Sequence, residues 1–147
     1  MSIFSALEVS GSALAAERQR AEVVAANLAN AETTHTPEGG PYRRKEVVFT
    51  SSGNLSFRMM LAGFHPTLAT TMPAVRVQQV VDDPTAPLMK YEPGHPDADK
   101  NGYVAYPAIN PIQEMVDLMG AVRSYQLNAS AVTASKQMLQ QAMELLK

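Results

Sequence analysis

The chain has 147 residues, the length of one ordinary domain, and a formal net charge of -2 at pH 7. That balance leaves no basic footprint for nucleic acid, and no run of about 18 apolar residues marks a membrane span. The absence of cysteine excludes disulfides and cysteine zinc sites, and it leaves the redox compartment open.

The first element is a helix. Ile3, Leu7, Ser10, Leu14, Glu17, Ala21, Val24, Leu28 and Ala31 recur at alternating spacings of three and four, with two polar interruptions. Such spacing keeps one stripe toward a partner helix over many turns, which is the coiled-coil condition. Ser2 suits the N-cap. Arg18 and Glu22 sit four apart on the opposite, solvated side. Asn30, Thr33 and Thr34 are poor helix formers and Pro37 disfavours helical geometry before it, so the helix is expected to end between 30 and 35. Ala13-Leu14-Ala15 mimics a signal cleavage site, but no basic n-region precedes it and Glu8 interrupts the apolar stretch. No cleaved signal peptide is expected.

All ten prolines lie between Pro37 and Pro111. Pro37-Glu38-Gly39-Gly40-Pro41 reads as a turn. Tyr42 to Phe49 reads as a strand, with Arg43 and Lys45 on one face and Arg44 on the other. This only basic cluster is either a solvated strand edge or a contact to an acidic neighbour in an assembly. Ala74 to Val81 alternates, with Val75, Val77 and Val81 on one face. Leu88 to Tyr91 and Tyr103 to Tyr106 are short strand candidates. Met59 to Phe64 reads as a short strand or a docked loop. The middle is expected to form a small antiparallel sheet or partial barrel.

The last helix has a marked start. Asn110 is the N-cap candidate, Pro111 falls at N1, and Glu114 and Asp117 sit near the positive end of the helix dipole. Its seam reads Met115, Leu118, Val122, Tyr125, Ala129, Val132, Lys136, Leu139, Met143 and Leu146, with one polar interruption. Each terminal helix would be on the order of 50 Å long at 1.5 Å per residue, and neither is stable alone in water. The fold class is therefore α+β: long N- and C-terminal helices packing as a coiled coil or bundle, with a small β-rich middle domain. The expected division is 1–36, pairing with 111–147, and a middle domain at 37–110.

Little in the chain speaks for chemistry. Asp97-Ala98-Asp99-Lys100-Asn101-Gly102 reproduces the first six positions of a calcium-binding EF-hand loop. The twelfth position is Ala108 rather than glutamate, and the bland alternative is a polar turn with Gly102 at positive φ. His35, His65 and His95 lie far apart in sequence, no nucleophile elbow exists, and Gly39-Gly40 lacks the lysine of a phosphate loop. No catalytic residue, cofactor or metal is expected. Three readings stay open on the residues alone: a structural assembly subunit, a calcium-dependent binding module on 97–102, and a cytoplasmic coiled-coil adaptor.

Two further motifs exceed what a plain coiled coil requires. Ala25-Ala26-Asn27-Leu28-Ala29-Asn30 combines small residues with two amides, and Arg123, Tyr125 and Asn128 lie together on the last helix. With Gly11-Ser12-Ala13-Leu14-Ala15-Ala16 and Asn27-Leu28-Ala29-Asn30-Ala31, the start resembles the flagellar rod and hook axial protein family. Thr36 to Lys45 with Val47-Val48-Phe49, and Tyr91 to Asp99 with Gly102-Tyr103-Val104, are similar to its proximal-rod type. Glu114-Met115-Val116 and Ala121-x-Arg123-x-Tyr125-Gln126-x-Asn128 look like its C-terminal signature. Ser51 to Met72 departs from the pattern.

The resemblance implies a non-enzymatic subunit of the flagellar basal-body rod, which transmits torque across the periplasm. It implies homo-oligomeric packing with other rod subunits, and export by the flagellar type III apparatus without signal cleavage. The assembly interface is then expected at Leu7, Leu14, Asn27, Leu28 and Asn30 on the first helix. On the last it is expected at Met115, Leu118, Val122, Arg123, Tyr125, Asn128, Val132, Leu139 and Met143.

Overall fold

The computed structural model describes residues 3–52 and 74–145. The stretch from Met59 to Phe64, His65 and nearly all of the departure at Ser51–Met72 lie outside the described residues. Six elements run in chain order: α1 (Ile3–Ala29), β1 (Lys45–Ser52), β2 (Ala74–Asp82), β3 (Leu88–Tyr91), β4 (Tyr103–Tyr106) and α2 (Pro111–Glu144). Two long helices thus flank a middle of short strands, the α+β arrangement expected. No helix among the described residues is long and apolar enough to cross a membrane.

The chain divides into two compact units. One comprises Met1–Gln19, Phe49–Gln78 and Val122–Lys147; the other comprises Arg20–Val48 and Gln79–Ala121. In the first, the described buried residues are Ser5, Ala16, Ala74 and Ser135, all small. There the Val75 N–H donates to Ser12 Oγ at 3.1 Å, tying the start of β2 to α1. In the second, Val24, Val104, Ile109 and Ala121 are buried together with Asn27 and Glu114.

Local chemistry sets most element ends. Asn30 stops α1: its Nδ2 donates back to the Ala26 carbonyl at 2.9 Å, and its Oδ1 accepts from Thr33 Oγ1 at 3.1 Å. Asparagine and threonine compete with the helix for backbone partners in this way. The next turn closes when the Thr36 N–H donates to the Gly40 carbonyl at 2.9 Å, with Gly39 and Gly40 at positive φ. Asn110 caps α2, its Oδ1 accepting from the Ile112 N–H at 3.0 Å.

The middle holds two separate two-stranded sheets among the described residues, β1–β2 and β3–β4, rather than one sheet or a partial barrel. β1 also starts three residues later than the alternation suggested, at Lys45 rather than Tyr42. The Tyr42 N–H is already engaged by the Thr33 carbonyl at 3.0 Å, which holds that residue against the end of α1. β3 and β4 are antiparallel, pairing Leu88 with Tyr106 and Tyr91 with Tyr103. One face of this hairpin carries Val104, fully buried, and Tyr106, half-buried. The other exposes Met89, Tyr91 and Tyr103.

The hairpin loop contains the calcium-like sequence, and its carboxylates are already engaged. Asp99 Oδ1 accepts from the N–H groups of Asn101 and Tyr103, both at 2.8 Å. Asp97 Oδ2 accepts from Thr34 Oγ1 at 2.7 Å. The loop is a polar turn, and among the described residues no group of three or more His, Cys, Asp or Glu side chains is arranged to hold a metal ion. Gly102, at φ +82°, is required there: a Cβ would stand 2.9 Å from Tyr91 Cε2 and 3.2 Å from Pro93 Cβ. Gly102→Ala is expected to destabilise the second unit by about 1–3 kcal/mol through backbone strain and this crowding. Urea unfolding followed by tyrosine fluorescence checks it, because Tyr42, Tyr91, Tyr103 and Tyr106 all lie in that unit. An unchanged midpoint would show that the turn tolerates a side chain.

Candidate functional site

The second unit is built around a buried polar cluster. Asn27 is completely buried on α1, and all of its side-chain hydrogen-bonding capacity is used. Its Nδ2 donates to the Lys45 carbonyl at 2.8 Å and to Glu114 Oε2 at 3.1 Å. Its Oδ1 accepts from the Lys45 N–H at 2.9 Å and from the Tyr42 hydroxyl at 3.1 Å. The amide thereby grips both backbone groups of one residue, as a neighbouring strand would, and bonds α2 at the same time.

Glu114 is only 1% exposed. A buried carboxylate is costly unless it is paired and hydrogen-bonded. Here one oxygen takes Asn27 and the other takes Arg44 Nε at 2.7 Å. Arg44 also contacts Glu46, and it lies 3.7 Å from Asp83 and 4.0 Å from Asp117. Burial works against its charge, but the bonds to Glu114 and Glu46 outweigh it and hold the guanidinium above its ordinary value. Burial, with Asp82 and Glu114 nearby, also raises the Tyr42 hydroxyl above its ordinary value. Arg44 therefore does meet acidic neighbours, within its own chain. Arg43 and Lys45 remain exposed.

The other expected interface residues divide by helix. Leu7, Leu14 and Leu28 on α1 and Asn30 just after it are half-buried, and the whole described seam from Leu7 to Ala31 is buried or half-buried. On α2 the inward line runs through Glu114, Ala121, half-buried Asn128 and Ser135, spaced seven apart. It lies one residue before the expected seam positions 115, 122, 129 and 136. Leu118, Val132 and Leu139 are half-buried and belong to both lines. Met115, Val122, Arg123, Tyr125 and Met143 are exposed. Ile112, Val116 and Met119, in the first turns of α2, are exposed as well. The Asn128 amide bonds within its own helix, to the Ser124 carbonyl at 2.9 Å. In the sequence Asn27 stood out, whereas Arg44 was left open and Glu114 had a dipole role and a place in the C-terminal signature but no partner. Its one signal was a carboxylate placed a single residue off an apolar seam.

Two family models cover the terminal helices. "Flagella basal body rod protein" matches residues 7–34, and "Flagellar basal body rod FlgEFG protein C-terminal" matches residues 100–145. Asn27 falls in the first match and Glu114 in the second. A Bacillus subtilis protein named flagellar basal-body rod protein FlgC is 40% identical over 151 residues, spanning 100% of both chains. The protein of that name in Borreliella burgdorferi is 36% identical over 153 residues, covering 100% of this chain and 99% of its own. Its Salmonella typhimurium counterpart is 38% identical over 145 residues, covering 99% and 98%. The chain belongs to the flagellar basal-body rod protein FlgC family. As a member it is a structural protein of the flagellar basal body, not an enzyme. Neither the calcium module nor the cytoplasmic adaptor is supported.

The cluster makes a specific demand at position 27. Aspartate is isosteric with asparagine but cannot donate when ionised, and it would set a second carboxylate against Glu114. Asn27→Asp is expected to cost about 3 kcal/mol or more at neutral pH, against about 1–3 kcal/mol for Asn27→Ala. The new carboxyl would have a raised pKa in the folded state. Its neutral form is favoured there, so the Asn27→Asp deficit should be smallest at acidic pH and grow as pH rises through that value. Urea midpoints of both variants across pH test this order, and an Asn27→Asp variant as stable as wild type at pH 7 would contradict it.

Proposed function

We propose that the chain is a proximal-rod subunit that assembles through its terminal helices and transmits torque along the rod. The observation that carries this reading is the exposed apolar surface of α2. Ile112 is 74% exposed and Met115 54%. Soluble monomers rarely leave a contiguous apolar surface of that kind uncovered, and such surfaces mark protein contacts. Residues 1–36 and 111–147 serve as the packing helices, and residues 37–110 carry the strands that face other parts of the assembly. Neighbours are further copies of this chain and other rod subunits, which cover Met115, Val122, Tyr125 and Met143 from outside. Arg123 and Asn128, about 140° apart around the helix, serve different neighbouring segments. Methionine suits contacts with non-identical neighbours, because its side chain adapts in shape.

The rod lies in the periplasmic space, and the subunit reaches it through the flagellar type III export apparatus without a cleaved signal.

The decisive variants are Val122→Asp and Tyr125→Ala. Both residues are exposed in the single chain, so stability of the free subunit should change by no more than about 0.5 kcal/mol. In the rod, the same changes bury a charge or remove a packed ring, each at about 3 kcal/mol or more per contact. Swimming in soft agar should be lost and isolated basal bodies should lack complete rods. Normal rods from both variants would show that this face of α2 is not an assembly interface.

A further inference from the structure

The first three turns of α2 invert the usual partition of side chains. A carboxylate, Glu114, is buried, while Ile112, Met115, Val116 and Met119 point to solvent. One residue step around a helix is about 100°, so a roll of that size would exchange Glu114 for Met115 on the inner side and Ala121 for Val122. Burial of apolar area alone favours that roll.

Glu114 opposes it through its partners, which are themselves pinned. Asn27 is anchored by both backbone groups of Lys45. Arg44 precedes Lys45 in the chain, and its own carbonyl accepts the Asp83 N–H at 2.7 Å. Rolling α2 outward would strip the buried Asn27 of one acceptor and the Arg44 Nε–H of the Glu114 carboxylate it bonds at 2.7 Å. Unsatisfied buried polar groups are costly, and buried polar contacts are best attested as devices that fix helix register.

We propose that Glu114, held by Asn27 and Arg44, is a positioning residue that sets the rotation of α2 and keeps its methionine-bearing apolar stripe outward for the next rod subunit. The inference rests on the assembly reading of that stripe, but its test does not require assembly. The full-length chain is treated in dilute solution with hydrogen peroxide, and oxidation is timed at Met115 and Met119 by mass spectrometry. Met89 on β3, also exposed, is the internal reference.

In Arg44→Met/Glu114→Leu both charges leave together, so no buried charge is stranded. Met115 and Met119 should then oxidise several-fold more slowly relative to Met89 than in wild type, because exposure governs methionine oxidation. Glu114→Gln, whose single amide oxygen can accept from Asn27 or from Arg44 but not from both, should slow oxidation by less than the double variant does. Should the double variant fail to fold, Glu114→Ala, which leaves Arg44 to Glu46 and Asp83, is read in the same way. Unchanged oxidation of Met115 and Met119 in the folded double variant, or in Glu114→Ala, overturns the proposal whatever the rods look like. Slowed oxidation supports it, and slowed oxidation together with normal rods would retain the orientation role while removing the assembly reading.

Discussion

Asn27 meets Lys45 and Glu114 in a single buried contact, and three segments far apart in sequence are held by it. The end of α1, the start of β1 and the first turns of α2 have few large apolar residues to press together. Val24, Val104 and Ile109 are the larger buried hydrophobic residues of this unit. With so small a core, directional bonds decide the geometry. An amide with four partners and a carboxylate with two fix distances and angles that a few valines would leave loose. The cost of burying Glu114 is offset by Arg44, whose charge is supported in turn by Glu46, Asp83 and Asp117.

The distribution of apolar residues follows from that choice. Because the polar cluster occupies the inside of the junction, the methionines and valines of early α2 lie outside. In the other unit the described fully buried residues are only serine and alanine, and its larger apolar side chains such as Leu7, Leu14, Val132 and Leu139 are half-buried. A chain of this kind gains most of its remaining stabilisation from neighbours. This matches membership of a family of rod subunits, whose members function only as parts of a larger structure. On the assembly reading proposed above, folding of the ends and assembly would become one event, because burial on contact would supply the free energy that the isolated helices lack.

Legibility in the sequence followed the range of the interactions. The Asn110–Pro111 start of α2 and both strands of the β3–β4 hairpin were readable because caps and alternation are local signals. The polar turn at 97–102 was readable because Asp99 bonds residues two and four positions on. The start of β1 was misplaced because Tyr42 is bound to Thr33 across the preceding turn, which alternation does not record. Asn27 was conspicuous, but its partner Glu114 lies 87 positions away, and nothing local couples them. The inward face of α2 differed from the apolar seam for a deeper reason. Periodicity reports which side of a helix is apolar, and here much of that side is exposed rather than turned to the chain's own core.

Hydrogen exchange on the free full-length chain, compared with isolated basal bodies, addresses the central claim most directly. In the free chain the Lys45 amide and the amides within 20–29 and 111–121 should be protected by the cluster. Those within 5–19 and 122–144 should exchange much faster there, and slow sharply in the assembled rod. Equal, strong protection of both sets in the free chain would contradict a subunit organised by the Asn27–Glu114–Arg44 cluster and completed by its neighbours.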